Sequence, residues 1–292
     1  MGMNNMIDPS TSFDAEQYKQ TQREQWNKDG AAWHYWHATL ERWYGELTRQ
    51  ILDSAFIQPR QHVLDIAAGA GEPAFSAAER VGLEGYVLAT DISDGIIALA
   101  RQAASDRGLT QVATRVMDGE VLSLPDASFD AVICRLGLMY MPHPGAALRE
   151  WHRVLKPGGH VAVAVFSTAD RNSWGAIPAS IIRRRAQLPP PVAGQPGPFS
   201  LGYPEVLQRL FIQAGFSNLS ISTVLVPHRA ASATEYVRVA REAFGGFNAM
   251  MASLPCTERE SAWHEIETSL HCYETTKGFE APGECYVVAA TK

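Results

Sequence analysis

Cysteine is scarce in this 292-residue chain: there are four, Cys134, Cys256, Cys272 and Cys285, and they are dispersed. None forms a Cys-x-x-Cys pair or neighbours a His or Cys at zinc-ligand spacing, so no metal site and no disulfide framework are expected. Reduced thiols of this kind suit a cytoplasmic protein. Basic charge is also in deficit, with 25 Lys and Arg against 31 Asp and Glu and a formal net charge of −6. A nucleic-acid partner needs a concentrated basic surface, and the one compact run, Arg183-Arg184-Arg185, reads as a solvated helix face. No apolar run approaches the roughly 18 residues of a membrane span. The polar start, Met1 to Ser12, lacks the apolar stretch of a secretory signal and is expected to be disordered. Repeats and low-complexity tracts are absent too.

The chain has an ordinary globular make-up, 46% hydrophobic and 19% charged, at a length that suits one large domain with insertions. From Phe13 to about Phe56 the pattern is helical and rich in aromatics. Tyr35-Thr39-Arg42-Trp43 and Trp36-Leu40-Tyr44-Leu47 fall on i, i+3, i+4 stripes, which either pack this segment on the main domain or close over a ligand. From His62 strands and helices alternate. Strands are predicted at 62–67, 85–90, 112–116, 129–134 and 159–166, and helices at 72–81, 94–107 and 144–154. Pro73 is placed in the first turn of its helix, Ser93 or Asp94 as a cap, and Lys156-Pro157-Gly158-Gly159 as a turn. After the Pro-rich stretch 188–198, a helix is expected at 204–214, a strand at 217–226, helix over 230–278 and a last strand at 284–290. This alternation predicts a doubly wound α/β fold whose ligands bind at the carboxyl ends of the strands.

Chemistry concentrates at those strand ends. Val63-Leu64-Asp65-Ile66-Ala67-Ala68-Gly69-Ala70-Gly71 carries two glycines between a strand and a helix, where backbone N–H groups meet a ligand closely. With Ala74 it also satisfies the Gly-x-Gly-x-x-Ala form of a dinucleotide fingerprint. The Asp65 carboxylate, however, suits a positively charged amino-acid ligand and repels a diphosphate. Asp91, after Leu88-Ala89-Thr90, is placed to accept both hydroxyls of a ribose. Asp118 in Met117-Asp118-Gly119-Glu120 is placed to accept an adenine amino group. A fourth strand, Phe129-Asp130-Ala131-Val132-Ile133-Cys134-Arg135, then opens onto Leu136-Gly137-Leu138-Met139-Tyr140-Met141.

These segments, together with Arg153-Val-Leu-Lys-Pro-Gly-Gly159, resemble class I S-adenosylmethionine-dependent methyltransferases over His62 to Phe166, in particular the ubiquinone/menaquinone-biosynthesis type and its small-molecule relatives. The resemblance implies a mostly parallel seven-stranded sheet with an antiparallel last strand. It divides the chain into an N-terminal helical cap (1–56), a cofactor-binding α/β domain (57–166, 203–229 and 281–292) and an inserted lid (167–202 and 230–280). S-adenosylmethionine is the implied cofactor. Asp65, Ala67, Gly69 and Gly71 would cradle its methionine end, Asp91 and Ile92 the ribose, and Asp118 and Gly119 the adenine, with Arg135 and Leu136 lining the floor beside the methyl group. The family's glycine turn more often reads Gly-Thr/Cys-Gly; here it is Gly69-Ala70-Gly71, without that side-chain hydrogen bond.

Methyl transfer is an in-line displacement for which the protein supplies alignment and, for some acceptors, a base. His143 and Tyr140 are the catalytic candidates, His143 competing with a plain helix-start role. Trp33, Tyr35, Asn172, Trp174 and Phe247 are the expected substrate-lining residues, implying a small, largely apolar or aromatic acceptor methylated on O, N or C. The Asn/Asp-Pro-Pro-Tyr motif of nucleic-acid and protein-amide methyltransferases is missing after the fourth strand. Two other readings stand beside this one: an NAD-type oxidoreductase, which would need a Tyr-x-x-x-Lys or similar dyad not found after these strands, and a cofactor-binding scaffold without turnover. Exposed aromatics on the N-terminal helix suit a homodimer.

Overall fold

A computed structural model describes residues 13–192 and 194–292; the expectation for residues 1–12 lies outside them. Two helices open the described chain, α1 (Ala15–Tyr35) and α2 (His37–Ser54). Asp14 caps α1, its carboxylate accepting the Gln17 N–H at 2.9 Å. The Trp36-Leu40-Tyr44-Leu47 stripe is buried, and α2 packs with it on the main sheet.

The α/β alternation follows as β1 (His62–Ile66), α3 (Ala74–Val81), β2 (Tyr86–Asp91), α4 (Asp94–Asp106), β3 (Val112–Val116), β4 (Phe129–Arg135), α5 (Pro144–Val154) and β5 (Leu155–Phe166). Next come α6 (Ser173–Arg185), α7 (Pro204–Gln213), β6 (Ser217–Leu225), β7 (His228–Ala230), α8 (Ala233–Ala243), α9 (Gly245–Met250) and α10 (Cys256–Leu270). The chain closes with β8 (Glu274–Thr275), β9 (Gly278–Ala281) and β10 (Glu284–Thr291). The main sheet has seven strands in the order β3-β2-β1-β4-β5-β10-β6. β10 runs antiparallel to both β5 and β6, and strand order reverses between β1 and β4, whose carboxyl ends therefore frame a crevice. β1 is buried along Val63 to Ile66, as a central strand covered on both faces must be.

Three local expectations change. Pro73 is the N-cap of α3 and precedes its first turn. The Lys156-Pro157-Gly158-Gly159 segment is an irregularity within β5, with register passing from Phe129↔Leu155 to Ala131↔His160 and Gly158 at φ +77°. The 230–278 segment is not all helix: β8 and β9 form a hairpin that joins β7 in a second, three-stranded antiparallel sheet. Gly278, at φ +107°, supplies the left-handed backbone this turn needs. The Arg183-Arg184-Arg185 run is partly committed within the fold, since Arg184 and Arg185 both pair with Glu265 on α10. No helix among the described residues is long and apolar enough to cross a membrane.

Candidate cofactor and acceptor site

A cavity of about 540 Å³ opens over the carboxyl ends of β1–β4, within the size range of small-ligand sites. Its floor is built by turns whose backbones are fixed in uncommon conformations. Ala67 and Leu136, which follow β1 and β4, sit at φ +58° and +61°. Non-glycine residues rarely hold this conformation, and it persists where surrounding packing enforces it. Gly71, at φ +126°, admits no side chain: a Cβ there would lie 2.0 Å from the Phe75 ring. The space beside Gly69 is open by comparison, with Ile96 Cδ1 the nearest atom to a built Cβ at 3.8 Å.

Asp91 anchors this floor. Its carboxylate accepts the backbone N–H of Gly69 at 3.0 Å and of Ser93 at 2.9 Å, tying the glycine turn to the start of α4. Burial pushes its carboxyl up to about 6, against the opposing pull of those N–H donors. Asp65 lies beneath, wholly buried, with neither carboxylate oxygen partnered; burial holds its carboxyl far above the ordinary range. Two unpartnered buried oxygens are costly and call for a donor. An orphaned acid behind the turn, the Asp91 carboxylate on the wall and the open space at Gly69 fit a cationic amino-acid nucleoside.

Helix α1 lies across the end of the cavity formed by the segments after β2 and β3. Lys19 Nζ sits 2.8 Å from Asp118 Oδ2 and 2.6 Å from Glu120 Oε2. Burial pulls its ammonium down, but the hydrogen bonds and charges of Asp118 and Glu120 outweigh that and hold it above its ordinary value. Arg23 donates to the Ile92 carbonyl at 3.2 Å, and the Asn27 side-chain oxygen accepts the Gly95 N–H at 3.0 Å.

Of the residues singled out in the sequence, Ala67, Gly69, Asp91, Ile92, Asp118, Gly119, Arg135, Leu136, Tyr140 and Trp33 come together on the cavity wall. Asp65 and Gly71 stand behind it. His143 does not reach it: it is exposed at the N-cap of α5, where its backbone N–H donates to Glu120. Tyr35 points away and is 70% exposed. Asn172 is consumed by the fold, its amide donating to Ser167 Oγ and the Thr168 carbonyl and accepting from Trp174 Nε1 and the Glu284 N–H. Trp174 stacks on His228 with centroids 4.3 Å apart, and Phe247 is buried against Trp263 and Phe244. These last three belong to the core of the fold, so the outer wall of the cavity comes from α1 and α2 and not from them. Tyr140 is half-buried, and burial raises its phenol to about 12, which keeps it neutral near pH 7.

Residues 64–163 match the methyltransferase domain family. Within those residues the chain is similar to methyltransferases, and the match spans about a third of its length. It is 41% identical over 120 residues to the ubiquinone/menaquinone biosynthesis C-methyltransferase UbiE of Xanthomonas oryzae, covering 41% of this chain and 47% of that protein. The chain thus spans about half the length of the curated relatives it matches. Among solved structures, the YcgJ protein of Bacillus subtilis shares the fold at a TM-score of 0.59 and 18% identity, covering 84% of this chain and 97% of that one. Phosphoethanolamine N-methyltransferase 2 of Haemonchus contortus, solved with phosphomonomethylethanolamine and S-adenosylhomocysteine, superimposes with a TM-score of 0.58 at 16% identity, covering 96% and 60%.

The outer wall of the cavity was only partly foreseen. Lys19, Gln22, Trp26 and Trp33 all face the cavity from α1, at i, i+3, i+7 and i+14, a helical stripe that mixes charge, amide and ring. His37, Glu41 and Tyr44 repeat the pattern on α2. Spacing alone groups these residues; only the fold says which face meets the strand ends.

Proposed function

We propose that this chain transfers a methyl group from S-adenosylmethionine to a small-molecule acceptor. The observation that carries the reading is one continuous cavity holding both the strand-end carboxylates Asp91 and Asp118 and an aromatic wall from α1 and α2. S-adenosylmethionine supplies an electrophilic methyl on a sulfonium. Asp91 accepts the ribose hydroxyls on the side its backbone donors leave free. Asp118 accepts the adenine amino group in place of, or beside, Lys19. Asp65 lies below the methionine end, and Ala67 and Leu136 set the floor by their fixed backbones. Tyr140 excludes water and offers a neutral hydroxyl to the acceptor. Helices α1 and α2 form the acceptor wall, while the 167–202 and 230–280 segments brace it: Trp33 Nε1 donates to the Ala243 carbonyl at 2.6 Å and Trp36 Nε1 to Glu242 at 2.8 Å. Four unpaired thiols support a cytoplasmic setting, and the acidic cavity wall favours a small molecule over nucleic acid.

Calorimetry with S-adenosylhomocysteine and with NAD tests the cofactor assignment. Only the former should bind, and Asp91→Ala should lose most of that affinity. Tight NAD binding, or unchanged affinity in the variant, refutes it.

A further inference from the structure

The acceptor side of the cavity has a charge and a shape that the cofactor residues do not use. Strand ends supply Asp91, Ile92, Asp118 and Gly119, whereas α1, α2 and the turn after β4 supply the facing wall. There Trp26 stands edge-on to Trp33 at 5.4 Å between centroids and edge-on to Tyr140 at 6.3 Å. Trp26 thus stands steeply between the other two rings and makes a corner with them, and Trp33 is pinned by its bond to Ala243. All three residues line the cavity, and an aromatic ring attracts a cation that reaches its face through the ring quadrupole.

The charge points the same way. Six carboxylates and three cationic side chains line the cavity, and all three cations are already engaged. Lys19 pairs with Asp118 and Glu120. Arg107 lies over the Phe75 ring at 4.7 Å and 3.7 Å from Glu72. Arg135 donates to Thr48 Oγ1 at 2.7 Å and to the Glu72 carbonyl at 3.1 Å. Glu41, exposed on α2, has no ion pair among the described residues. Its charge reaches across to Glu72, whose carboxyl stands above its ordinary value, through burial first and Glu41 in addition. An unpaired carboxylate at the mouth of the cavity repels an anionic ligand and attracts a cationic one.

We infer that the methyl acceptor is an amine, received as its ammonium at the Trp26–Trp33–Tyr140 corner with Glu41 as counter-charge; this rests on the methyl-transfer reading above. The chemistry balances. A primary or secondary ammonium first yields one proton to Glu41 or to water at the cavity mouth. The nitrogen lone pair then forms the bond to the methyl carbon, while the carbon–sulfur pair stays on sulfur as a thioether. Positive charge moves from sulfur to nitrogen, so the wall holds a cation before and after transfer. A phenol or acid acceptor would instead bring negative charge against Glu41.

The test uses the intact protein saturated with S-adenosylhomocysteine and two probes of equal shape, choline and its neutral isostere 3,3-dimethylbutan-1-ol. Titrations are followed by tryptophan fluorescence and calorimetry. Choline should bind about tenfold more tightly, and Glu41→Gln and Trp26→Leu should each shrink that preference severalfold. Equal affinities, or a preference for the alcohol, overturn the inference. An undiminished preference in both variants overturns the placement of the cation at this corner. Failure to bind S-adenosylhomocysteine at all refutes the methyl-transfer reading instead. With S-adenosylmethionine, members of an amine panel should be methylated; turnover of phenols but of no amine overturns the amine assignment.

Discussion

Asp91 titrates where it can be watched. In the unliganded protein its carboxyl is pushed up to about 6 by burial, against opposing N–H donors from Ser93 and Gly69. A ribose needs the ionised form, which accepts two hydroxyl hydrogen bonds; the protonated form presents its own O–H and loses one acceptor. Affinity therefore scales with the ionised fraction. That fraction is about 0.9 at pH 7 and about 0.09 at pH 5 for a group of this acidity, so S-adenosylhomocysteine should bind about tenfold more weakly at pH 5, a loss of about 1.4 kcal/mol. The sign is fixed by linkage: ligand favours the deprotonated acid, so binding below pH 6 must release a proton. Calorimetry at pH 5, 6 and 7 in buffers of different ionisation enthalpy measures both the affinity and the proton. In Asp91→Asn the affinity should fall about tenfold or more at neutral pH, from loss of charge-assisted bonds, and the slope should vanish. A flat profile in the native protein, or the same slope in Asp91→Asn, would refute the reasoning.

Other perturbations follow from the same geometry. Gly71→Ala forces a Cβ into the Phe75 ring and should cost about 2–3 kcal/mol in urea unfolding; a cost under about 0.5 kcal/mol contradicts the packing. Lys19→Met leaves Glu120 buried without its cation and should destabilise by about 3 kcal/mol, with Glu120→Gln restoring most of it in the double variant. His228, fully buried, is lowered by burial to about 3, below its unfolded value. It stays neutral while the unfolded chain protonates, so stability drains as pH falls from about 6.5 by about 1.4 kcal/mol per unit. His228→Phe should show that much less acid sensitivity between pH 6.5 and 4, and an unchanged slope would count against it. Tyr35→Ser should leave stability within about 0.5 kcal/mol and cofactor affinity unaltered; a large loss of affinity would return Tyr35 to the site.

The sheet and the strand-end floor of the cavity were legible because both are local in sequence. Each strand is an apolar run ended by small or acidic residues, and in Leu64-Asp65-Ile66-Ala67-Ala68-Gly69-Ala70-Gly71 chemistry and backbone geometry share one short stretch. The outer wall of the cavity was not legible in the same way. Asn172, Trp174 and Phe247 resemble site residues by type, but their neighbours in space are His228, Glu284 and Trp263, distant in the chain. Asn172 in particular cannot be told from a ligand-binding amide until all its partners are counted. Lys19 was missed for the converse reason: a lysine on a helix reads as solvated, and only the packing of α1 on α4 sets it beside the two carboxylates of the loop after β3.

The position of β10 carries a consequence for assembly. β6 pairs with β10 alone in the main sheet, and β10 is the bridge that joins it to β5. On the ribosome, the residues of β1 to β5 are synthesised well before those of that bridge. Until then β5 and β6 each present a bare row of N–H and C=O groups, open to pairing with other chains. Errors in biogenesis, such as truncation or late translational arrest, should therefore yield a species with a formed nucleotide crevice and two sticky edges. Its fate is aggregation while its ligand site is still sound.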